Sequence, residues 1–286
     1  MIRERFAPSP TGLLHLGHGF SALTAFEAAR AARGEFLLRI EDIDQPRCRL
    51  EYEQAIYNDL KWLGISWNEP AMRQSDRMHA YRAALAQLTE LGLTYSCRCT
   101  RKDIAAALSA PQEGGDPVTG PDGTVYPGTC RQRKLEQSLQ PDATRLNMRK
   151  AVEYLDGVEK LGYEEVGHGW CFLDREMLLH RCGDVVLARK DIGTSYHLAV
   201  VVDDAAQGIT HVTRGVDMVD TTQIHRLLQA LLGLPTPIYR HHRLIRDENG
   251  KRLAKRHDAM ALRTYRDAGR TQREIWEMVG LRRDTI

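Results

Sequence analysis

The first ninety residues alternate between strand-like and helix-like hydrophobic patterns. A short strand is predicted over residues 3–8, followed by a Pro/Gly turn and a helix over residues 16–33 that ends at Gly34. The same patterns then predict a strand over 35–40 and helices over 50–63 and 77–91. Strands and helices in this order are typical of a parallel α/β sheet.

This alternation breaks between about Tyr95 and Asn147, where a short helix is predicted over 101–107 and a Gly/Pro/Asp-rich loop over 111–128. So long an irregular loop predicts an insertion with its own anchor or function. The α/β pattern then resumes after Asp184. The predicted elements are strand 184–188, helix 196–204, strand 209–213, helix 216–232, strand 238–241 and a helical tail over 261–278.

Length and hydropathy narrow the class of protein. A chain of 286 residues has room for one large domain or two closely joined domains. Its apolar runs are short, and the N-terminus lacks the apolar segment of a signal peptide. We therefore expect neither secretion nor a membrane association, and a cytoplasmic location.

The charge is unevenly distributed, although its sum is only +2. Of the 40 basic residues 32 are Arg, which suits bidentate recognition of phosphate and carboxylate but also follows from a GC-rich genome. Residues 240–286 carry +6, whereas residues 1–239 carry −4. A basic end on a mildly acidic body predicts a phosphate-rich partner.

The motif His15-Leu-Gly-His18 opens the first long predicted helix. Two His three residues apart share a helix face, and the N-terminus of a helix attracts anions. Gly17 removes a side chain where backbone must approach a ligand. Taken alone, the four residues could equally be two surface histidines near a helix cap.

The surrounding residues carry a family resemblance. Arg5-Phe-Ala-Pro-Ser-Pro-Thr-Gly12, Leu14-His-Leu-Gly-His18 and Leu38-Arg-Ile-Glu-Asp-Ile-Asp44 closely resemble the catalytic core of glutamyl-tRNA synthetases, which are class I aminoacyl-tRNA synthetases. The resemblance continues through Ser195-Tyr-His-Leu-Ala199, Val201-Val-Asp-Asp204 and Val212-Thr-Arg214, and ends in Gly250-Lys-Arg-Leu-Ala-Lys-Arg256.

This resemblance implies a Rossmann-type class I core with a parallel sheet, an inserted zinc-binding subdomain and a short helical C-terminal tail. The implied division is 1–94 and 184–241 for the two halves of the core, 95–183 for the insertion, and 242–286 for the loop and basic tail. Glutamyl-tRNA synthetases continue into anticodon-reading domains. Only 31 residues follow Lys255, so we expect no such domain here.

The resemblance also implies a site for glutamate and ATP. His15 and His18 are the expected catalytic residues with Lys255, and the ATP-binding positions are His15, Gly17, His18, Arg252 and Lys255. A dicarboxylate that bears an ammonium group needs guanidinium and carboxylate partners. The positions that match the family's glutamate site are Arg5, Ala7, Ser9, Glu41, Tyr196 and Arg214.

The phosphate-binding loop departs from the family's pattern. Where the family has Lys-Leu-Ser-Lys, this chain has Arg252-Leu-Ala-Lys255, so Ala254 lacks a hydroxyl. We expect Lys255 to be the essential charge, closing over the phosphates as a mobile cation. Mg²⁺ is expected to accompany ATP.

Three cysteines, Cys97, Cys99 and Cys130, form a second constellation. Cysteines at i and i+2 are poorly placed for a disulfide with each other, so a metal such as zinc is the better interpretation. Zinc then needs a fourth ligand. By ligand chemistry alone the candidates are His168, Cys171 and Asp122, because Tyr is not among the usual zinc ligands.

The family resemblance points instead to Tyr126. Tyr126-Pro-Gly-Thr-Cys130 is similar to a Tyr-x-x-x-Cys motif in a shorter paralogue of the glutamyl enzymes, in which the Tyr completes the zinc site. This resemblance implies one structural Zn²⁺ per chain, held by Cys97, Cys99, Tyr126 and Cys130.

That paralogue activates glutamate with ATP and transfers it to queuosine, the modified wobble base of tRNA(Asp). We therefore expect ATP, L-glutamate and the anticodon arm of tRNA(Asp) as partners, and a monomer. Two alternatives stay open. One is a nucleotidyltransferase with the same signature that acts without RNA, and the other is a catalytically inactive paralogue that binds RNA.

Overall fold

The structure is a computed structural model, and it describes residues 1–109, 118–133, 142–246 and 260–281. The strands are β1 (Arg3–Phe6), β2 (Glu35–Ile40), β3 (Met72–Arg73), β4 (Thr94–Cys97), β5 (Thr119–Gly120), β6 (Gly123–Thr124), β7 (Ala143–Leu146), β8 (Gly162–Glu165), β9 (Gly169–Phe172), β10 (Val186–Ala188), β11 (His211–Gly215) and β12 (Ile238–His242). The α-helices are α1 (Leu16–Ala31), α2 (Leu50–Trp62), α3 (Met78–Glu90), α4 (Arg101–Ser109), α5 (Met148–Tyr154), α6 (Arg175–Met177), α7 (Tyr196–Ala206), α8 (Val219–Leu232), α9 (Leu262–Asp267) and α10 (Gln272–Met278).

A parallel sheet forms the body of the molecule, as predicted. β1 pairs in parallel with β2 and β2 with β3, while β11 pairs in parallel with β12. The two groups of strands meet where the Thr210 amide donates to the Arg3 carbonyl oxygen at 3.0 Å and the Thr213 hydroxyl donates to the buried Glu4 carboxylate at 2.8 Å. β2 is buried from Phe36 to Ile40, as expected for a strand covered on both faces.

The segment predicted to be an insertion contributes to this sheet. β8 pairs in parallel with β12, and β9 extends the edge as an antiparallel neighbour of β8. Residues 162–172 therefore pack with the strands that follow Asp184. Glu165 strengthens this junction, because its carboxylate accepts a hydrogen bond from the backbone N–H of His241 at 3.0 Å.

The expectation that residues 184–188 resume the parallel sheet is wrong. β10 is antiparallel to β7, and β7 is antiparallel to β4, so these three strands make a separate sheet. The buried Asp184 carboxylate explains the placement. It accepts hydrogen bonds from the Tyr95 hydroxyl at 2.6 Å and from the Met148 amide at 2.9 Å, which ties the start of this segment to β4 and α5.

The tail is two short helices rather than one. α9 ends before Gly269, whose φ of +76° favours glycine, and Thr271 then caps α10 in a capping box. Leu262, Ile275 and Trp276 pack into the same core as α1 and α2. The other predicted helices and strands are confirmed within a few residues, with β1 ending at Phe6, α1 at Ala31, and β11 and α8 beginning slightly later than predicted. The loop predicted over 111–128 lies partly outside the described residues, and its described part contains the antiparallel hairpin of β5 and β6. Among the described residues, no helix is both long and apolar enough to span a bilayer.

Candidate active site and cysteine cluster

His15 and His18 cap the N-terminus of α1 reciprocally. The His15 Nδ1 atom accepts from the Gly17 amide at 3.1 Å, and the His18 Nδ1 atom accepts from the His15 amide at 3.2 Å. The two rings stack with their centroids 3.8 Å apart. Because each Nδ1 is an acceptor, each neutral ring carries its proton on Nε2, which is therefore a donor. A Cβ atom on Gly17 would approach the His15 ring to 3.0 Å, so glycine leaves room for this stacked pair.

A cavity of about 360 Å³ opens beside these histidines. It lies at the carboxyl ends of β1, β2, β11 and β12, where open parallel sheets bind ligands. The residues that line it include all those predicted to bind glutamate or to lie at the helix N-terminus: Arg5, Ala7, Ser9, His15, Gly17, His18, Glu41, Tyr196 and Arg214. The structure thus brings the described members of the predicted site together, and their roles remain predictions.

Arg5 is held by a buried carboxylate at the back of the cavity. Its Nε atom donates to Asp204 Oδ1 at 3.0 Å, and the same oxygen accepts from Arg39 Nη1 at 2.8 Å. Burial acts to raise the pKa of Asp204, but the charges and hydrogen bonds of Arg5 and Arg39 lower it below its usual value. Asp204 therefore stays ionised and fixes both guanidinium groups.

Like Asp217, Glu41 is an acidic residue that lines the cavity. Its backbone N–H donates to the Pro8 carbonyl oxygen at 3.0 Å, which joins the end of β2 to the turn after β1. Burial raises the pKa of Glu41 to about 7, even though Arg39, whose Nη2 atom lies 3.5 Å from the Glu41 carboxylate, acts to lower it. Burial also raises the pKa of Tyr196 to about 12, so its hydroxyl is a neutral hydrogen-bonding group.

Arg214 is oriented by three acceptors. Its Nη2 atom donates to Thr222 Oγ1 at 2.6 Å, its Nη1 atom to His225 Nδ1 at 3.1 Å and its Nε atom to His241 Nε2 at 3.4 Å. A guanidinium has five N–H donors in one plane, and these contacts use three of them. One N–H on each Nη atom is not used by these three contacts, and Arg214 lines the cavity.

The cysteine cluster lies in the segment between β4 and β7. The Sγ atoms of Cys97, Cys99 and Cys130 lie within 4.8 Å of one another, and the Tyr126 hydroxyl is 3.4 Å from the Sγ atoms of both Cys97 and Cys99. Cys99 and Cys130 have an Sγ–Sγ distance of 3.5 Å without a disulfide bond. Tetrahedral zinc–thiolate geometry requires sulfur atoms roughly 3.8 Å apart. The arrangement of three thiols therefore fits a metal ion.

The alternative fourth ligands lie elsewhere. Asp122 accepts a hydrogen bond from His197, Cys171 belongs to β9, and the exposed His168 lies in the turn between β8 and β9. Of the four candidates for the fourth ligand, Tyr126 is the one at the cluster. Arg145 borders the same cluster, with its Nε atom 3.3 Å from Cys97 Sγ and its guanidinium over the Tyr126 ring.

Known proteins resemble this chain over nearly its whole length. The family model for the catalytic domain of class I tRNA synthetases (E and Q) matches residues 1–285. The glutamyl-Q tRNA(Asp) synthetase of Rhodobacter capsulatus is 54% identical over 283 residues, which is 97% of this chain and 99% of the relative. This chain belongs to the glutamyl-Q tRNA(Asp) synthetase family. The member from Nitratidesulfovibrio vulgaris is 39% identical over 94% of this chain and 82% of its own length.

A solved structure extends the comparison from this family to a longer enzyme. The glutamate tRNA ligase of Elizabethkingia meningosepticum, in complex with its amino acid, superposes with a TM-score of 0.71 at 28% identity. The match covers 89% of this chain and 52% of that chain. The chain therefore spans about half the length of this glutamate tRNA ligase, and the two share the class I catalytic fold.

Part of the predicted ATP site lies outside the described residues. The predicted ATP-binding residues Arg252 and Lys255, and Ala254 between them, are not described by the structure. Near the two ends of that segment, Ile245 lines the cavity and Ala261 forms a β-bridge with His15.

Sequence reasoning missed the residues that orient the site. Asp204, Arg39 and His225 have no predicted role, although Arg39 and Asp204 lie within segments that resemble the glutamyl-tRNA synthetase family. A charged residue at the end of an apolar run, such as Asp204 after Val200–Val202, is a signal that could have identified a buried ion pair. No comparable signal marks His225, which lies among ordinary helix residues in α8.

Proposed function

We propose that this chain activates L-glutamate with ATP as glutamyl-adenylate and transfers the glutamyl group to queuosine at the wobble position of tRNA(Asp). The observation that carries the proposal is one cavity that combines two oriented guanidinium groups and a carboxylate with a helix N-terminus bearing two imidazole donors. Glutamate needs the first set of groups, and a nucleoside triphosphate needs the second.

Glutamate recognition follows from charge and donor geometry. Arg5 and Arg214 neutralise the two carboxylates of the amino acid, Glu41 accepts its ammonium group, and Ser9 and Tyr196 add neutral hydrogen bonds. Both guanidinium groups are held by protein acceptors before the ligand arrives, so little ordering is needed on binding. Ala7 lines the same cavity with only a methyl side chain.

The activation step is an in-line displacement at the α-phosphorus of ATP. A glutamate carboxylate oxygen forms the new P–O bond, the bond to the bridging oxygen of the β-phosphate breaks, and pyrophosphate leaves with the electron pair. The Nε2–H groups of His15 and His18 and the N-terminus of α1 stabilise the negative charge that develops on the phosphate oxygens. We propose that Arg252 and Lys255 act on the leaving pyrophosphate, and that Mg²⁺ accompanies ATP.

In the transfer step a hydroxyl of the cyclopentenediol ring of queuosine attacks the carbonyl carbon of the adenylate. The new ester C–O bond forms, AMP leaves with the electrons of the mixed anhydride bond, and the hydroxyl proton passes to the departing phosphate. The basic residues that follow β12 would contact the anticodon arm. This interaction should weaken steeply as the salt concentration rises, because phosphate contacts release counterions.

The cysteine cluster is proposed to hold one structural zinc ion through Cys97, Cys99, Cys130 and Tyr126. Bound there, zinc would cross-link the chain on both sides of α4. Arg145 would offset the net negative charge of three thiolates on one dication. We further propose the division of the chain at residues 94, 183 and 241, a cytoplasmic location and a monomeric state. Six cysteines without a disulfide among the described residues are consistent with a reducing compartment.

Pyrophosphate exchange tests the activation step. The protein is incubated with ATP, labelled pyrophosphate and one amino acid, either glutamate, glutamine or aspartate. We expect label in ATP with glutamate at least 100-fold above that with glutamine, since glutamine lacks one of the two charges that the guanidinium groups neutralise. Equal exchange with glutamine would contradict the assignment of the pocket, and the absence of exchange with all three would favour an inactive RNA-binding protein.

A further inference from the structure

A row of hydrogen bonds connects Arg214 to the protein surface through two buried histidines. Arg214 Nη1 lies 3.1 Å from His225 Nδ1, and His225 Nε2 lies 3.2 Å from His197 Nδ1. His197 Nε2 in turn lies 2.7 Å from the carboxylate oxygen Oδ2 of Asp122. The two histidines are 2% and 4% exposed, whereas Asp122 is half exposed in the turn between β5 and β6.

The two ends of this row fix the position of every proton in it. A guanidinium can only donate, so His225 Nδ1 must accept, and the proton of the neutral ring lies on Nε2. That N–H can only donate to His197 Nδ1, which places the second proton on His197 Nε2, facing Asp122. Burial and the charge of Arg214 lower the pKa of His225 well below its usual value, in agreement with a neutral ring.

We propose that Asp122 is a positioning residue for glutamate binding, because its carboxylate holds both histidines in the tautomers that present an acceptor to Arg214. This inference rests on the proposed function of Arg214. In the reversed arrangement, His225 Nδ1–H would point at a guanidinium N–H, and two donors would repel each other. A carboxylate, which only accepts, excludes that arrangement at the far end of the row.

Asp122 differs from the other carboxylate that orients Arg214 indirectly. Glu165 accepts from His241 Nδ1 at 2.7 Å, and this bond turns His241 Nε2 towards Thr222 and Arg214. Glu165 is buried in the sheet, so replacing it would disturb the core. Asp122 lies at the surface end of its row, which allows its charge and acceptor to be changed without opening a cavity.

The row also joins two regions of the molecule. Asp122 precedes Tyr126 by four residues, so one short stretch of chain contributes to the cysteine cluster and orients a residue of the glutamate pocket. We expect a substitution that displaces residues 122–126 to weaken glutamate binding more than ATP binding. His15 and His18 lie at the N-terminus of α1 and are not members of this row.

Steady-state pyrophosphate exchange with the full chain tests the proposal. Asp122→Asn keeps the size of the side chain and removes its charge, and Asp122→Leu also removes the acceptor. We expect the KM for glutamate to rise about tenfold in Asp122→Leu and less in Asp122→Asn, with kcat and the KM for ATP within twofold of the original. Asp122→Glu should keep the KM for glutamate near the original value. Asp156→Asn removes a carboxylate that is also about half exposed and is paired with Arg175, and it should leave this KM unchanged.

An unchanged KM for glutamate in Asp122→Leu would overturn the proposal, as would equal losses for glutamate and ATP.

Histidine-selective ¹⁵N NMR gives a readout independent of activity. His197 and His225 should both be neutral Nε2–H tautomers, and Asp122→Leu should produce mixed tautomers. An Nδ1–H tautomer of His225 in the original protein would overturn the row itself. Correct tautomers without any glutamate-dependent exchange would instead contradict the proposed function.

Discussion

Asp204 and Arg5 form a buried ion pair with two contacts, Nε to Oδ1 at 3.0 Å and Nη2 to Oδ2 at 3.4 Å. The pair joins α7 to the end of β1, so the packing of a helix on the sheet sets the direction of a guanidinium in the cavity. Arg39 contributes a second contact to the same carboxylate at 2.8 Å. One buried carboxylate thereby organises the glutamate side of the candidate site.

Replacement of Asp204 should affect both binding and stability. Asp204→Asn leaves two buried cations without their counter-charge, so we expect the free energy of unfolding to fall by about 3 kcal/mol and the KM for glutamate to rise at least tenfold. Thermal or urea unfolding and pyrophosphate exchange measure the two effects.

The neighbouring Asp203 provides a matched control. It is also buried, and it accepts hydrogen bonds from Gln74 and Tyr81 rather than from a residue that lines the cavity. Asp203→Asn should lose comparable stability while the KM for glutamate changes less than threefold. An equal rise in KM in both variants would mean that Asp204 acts through stability alone.

Glutamate binding should depend on pH through Glu41. Burial raises the pKa of Glu41 from 4.5 to about 7 in the empty site, and a protonated Glu41 cannot neutralise the ammonium group. We expect the affinity for glutamate, measured by calorimetry, to be constant above about pH 7 and to fall roughly tenfold per pH unit below it. Glu41→Gln should bind weakly at every pH and lose this dependence.

The raised pKa of Glu41 also predicts how the stability of the ligand-free protein depends on pH. A group whose pKa is higher in the folded state favours folding most when it is protonated. The contribution of Glu41 is therefore fully present below about pH 4.5 and is lost as the pH rises through about 7. The difference in unfolding free energy between Glu41→Gln and the original protein should grow in favour of the variant over this range. A constant difference would contradict the raised pKa.

Lys255 is predicted to act on transition-state charge. In Lys255→Ala the kcat for adenylate formation should fall by roughly 10² or more, with little change in glutamate affinity. Lys251→Ala removes an equal charge from the same segment and should have a much smaller effect. If both variants keep the original kcat, Lys255 has no part in the reaction.

The cysteine cluster should bind one zinc ion per chain. Elemental analysis of the purified protein is expected to give a 1:1 ratio, and Cys97→Ser or a strong chelator should release the metal and increase hydrogen exchange in residues 118–133. Tyr126→Phe should weaken zinc binding, because it removes the hydroxyl that lies 3.4 Å from two sulfur atoms. Cys171→Ser, which alters a cysteine outside the cluster, should retain the metal. A native preparation without zinc would contradict the assignment.

Sequence patterns predicted four strands of the parallel sheet, β1, β2, β11 and β12, because each adjoins a segment with clear helical periodicity, whereas β3 and β8 were not predicted. They failed for residues 184–188 because the alternation of side chains along a strand does not show which other strand it pairs with. The partners of β10 are set by Asp184, whose hydrogen bonds to Tyr95 and Met148 span tens of residues. The break between α9 and α10 follows from Gly269 and the N-cap residue Thr271, which are typical signals for the end of one helix and the start of the next.

The candidate site was predictable to the extent that its residues lie in motifs. Arg5, Glu41 and Arg214 follow from the family resemblance, and the structure places them around one cavity. The residues that orient them were not predictable in this way. His225 and Asp122 are 103 residues apart, and they are connected only because α7 inserts His197 between them.

The identity of the RNA acceptor tests the central claim most directly. The protein is incubated with ATP, labelled glutamate and tRNA(Asp) that carries either queuosine or the unmodified guanosine at the wobble position, with tRNA(Glu) as a further acceptor. Label should enter only the tRNA(Asp) with queuosine, and periodate oxidation of the cyclopentenediol before the reaction should abolish it. Equal labelling of both forms of tRNA(Asp), or charging of tRNA(Glu), would contradict the account.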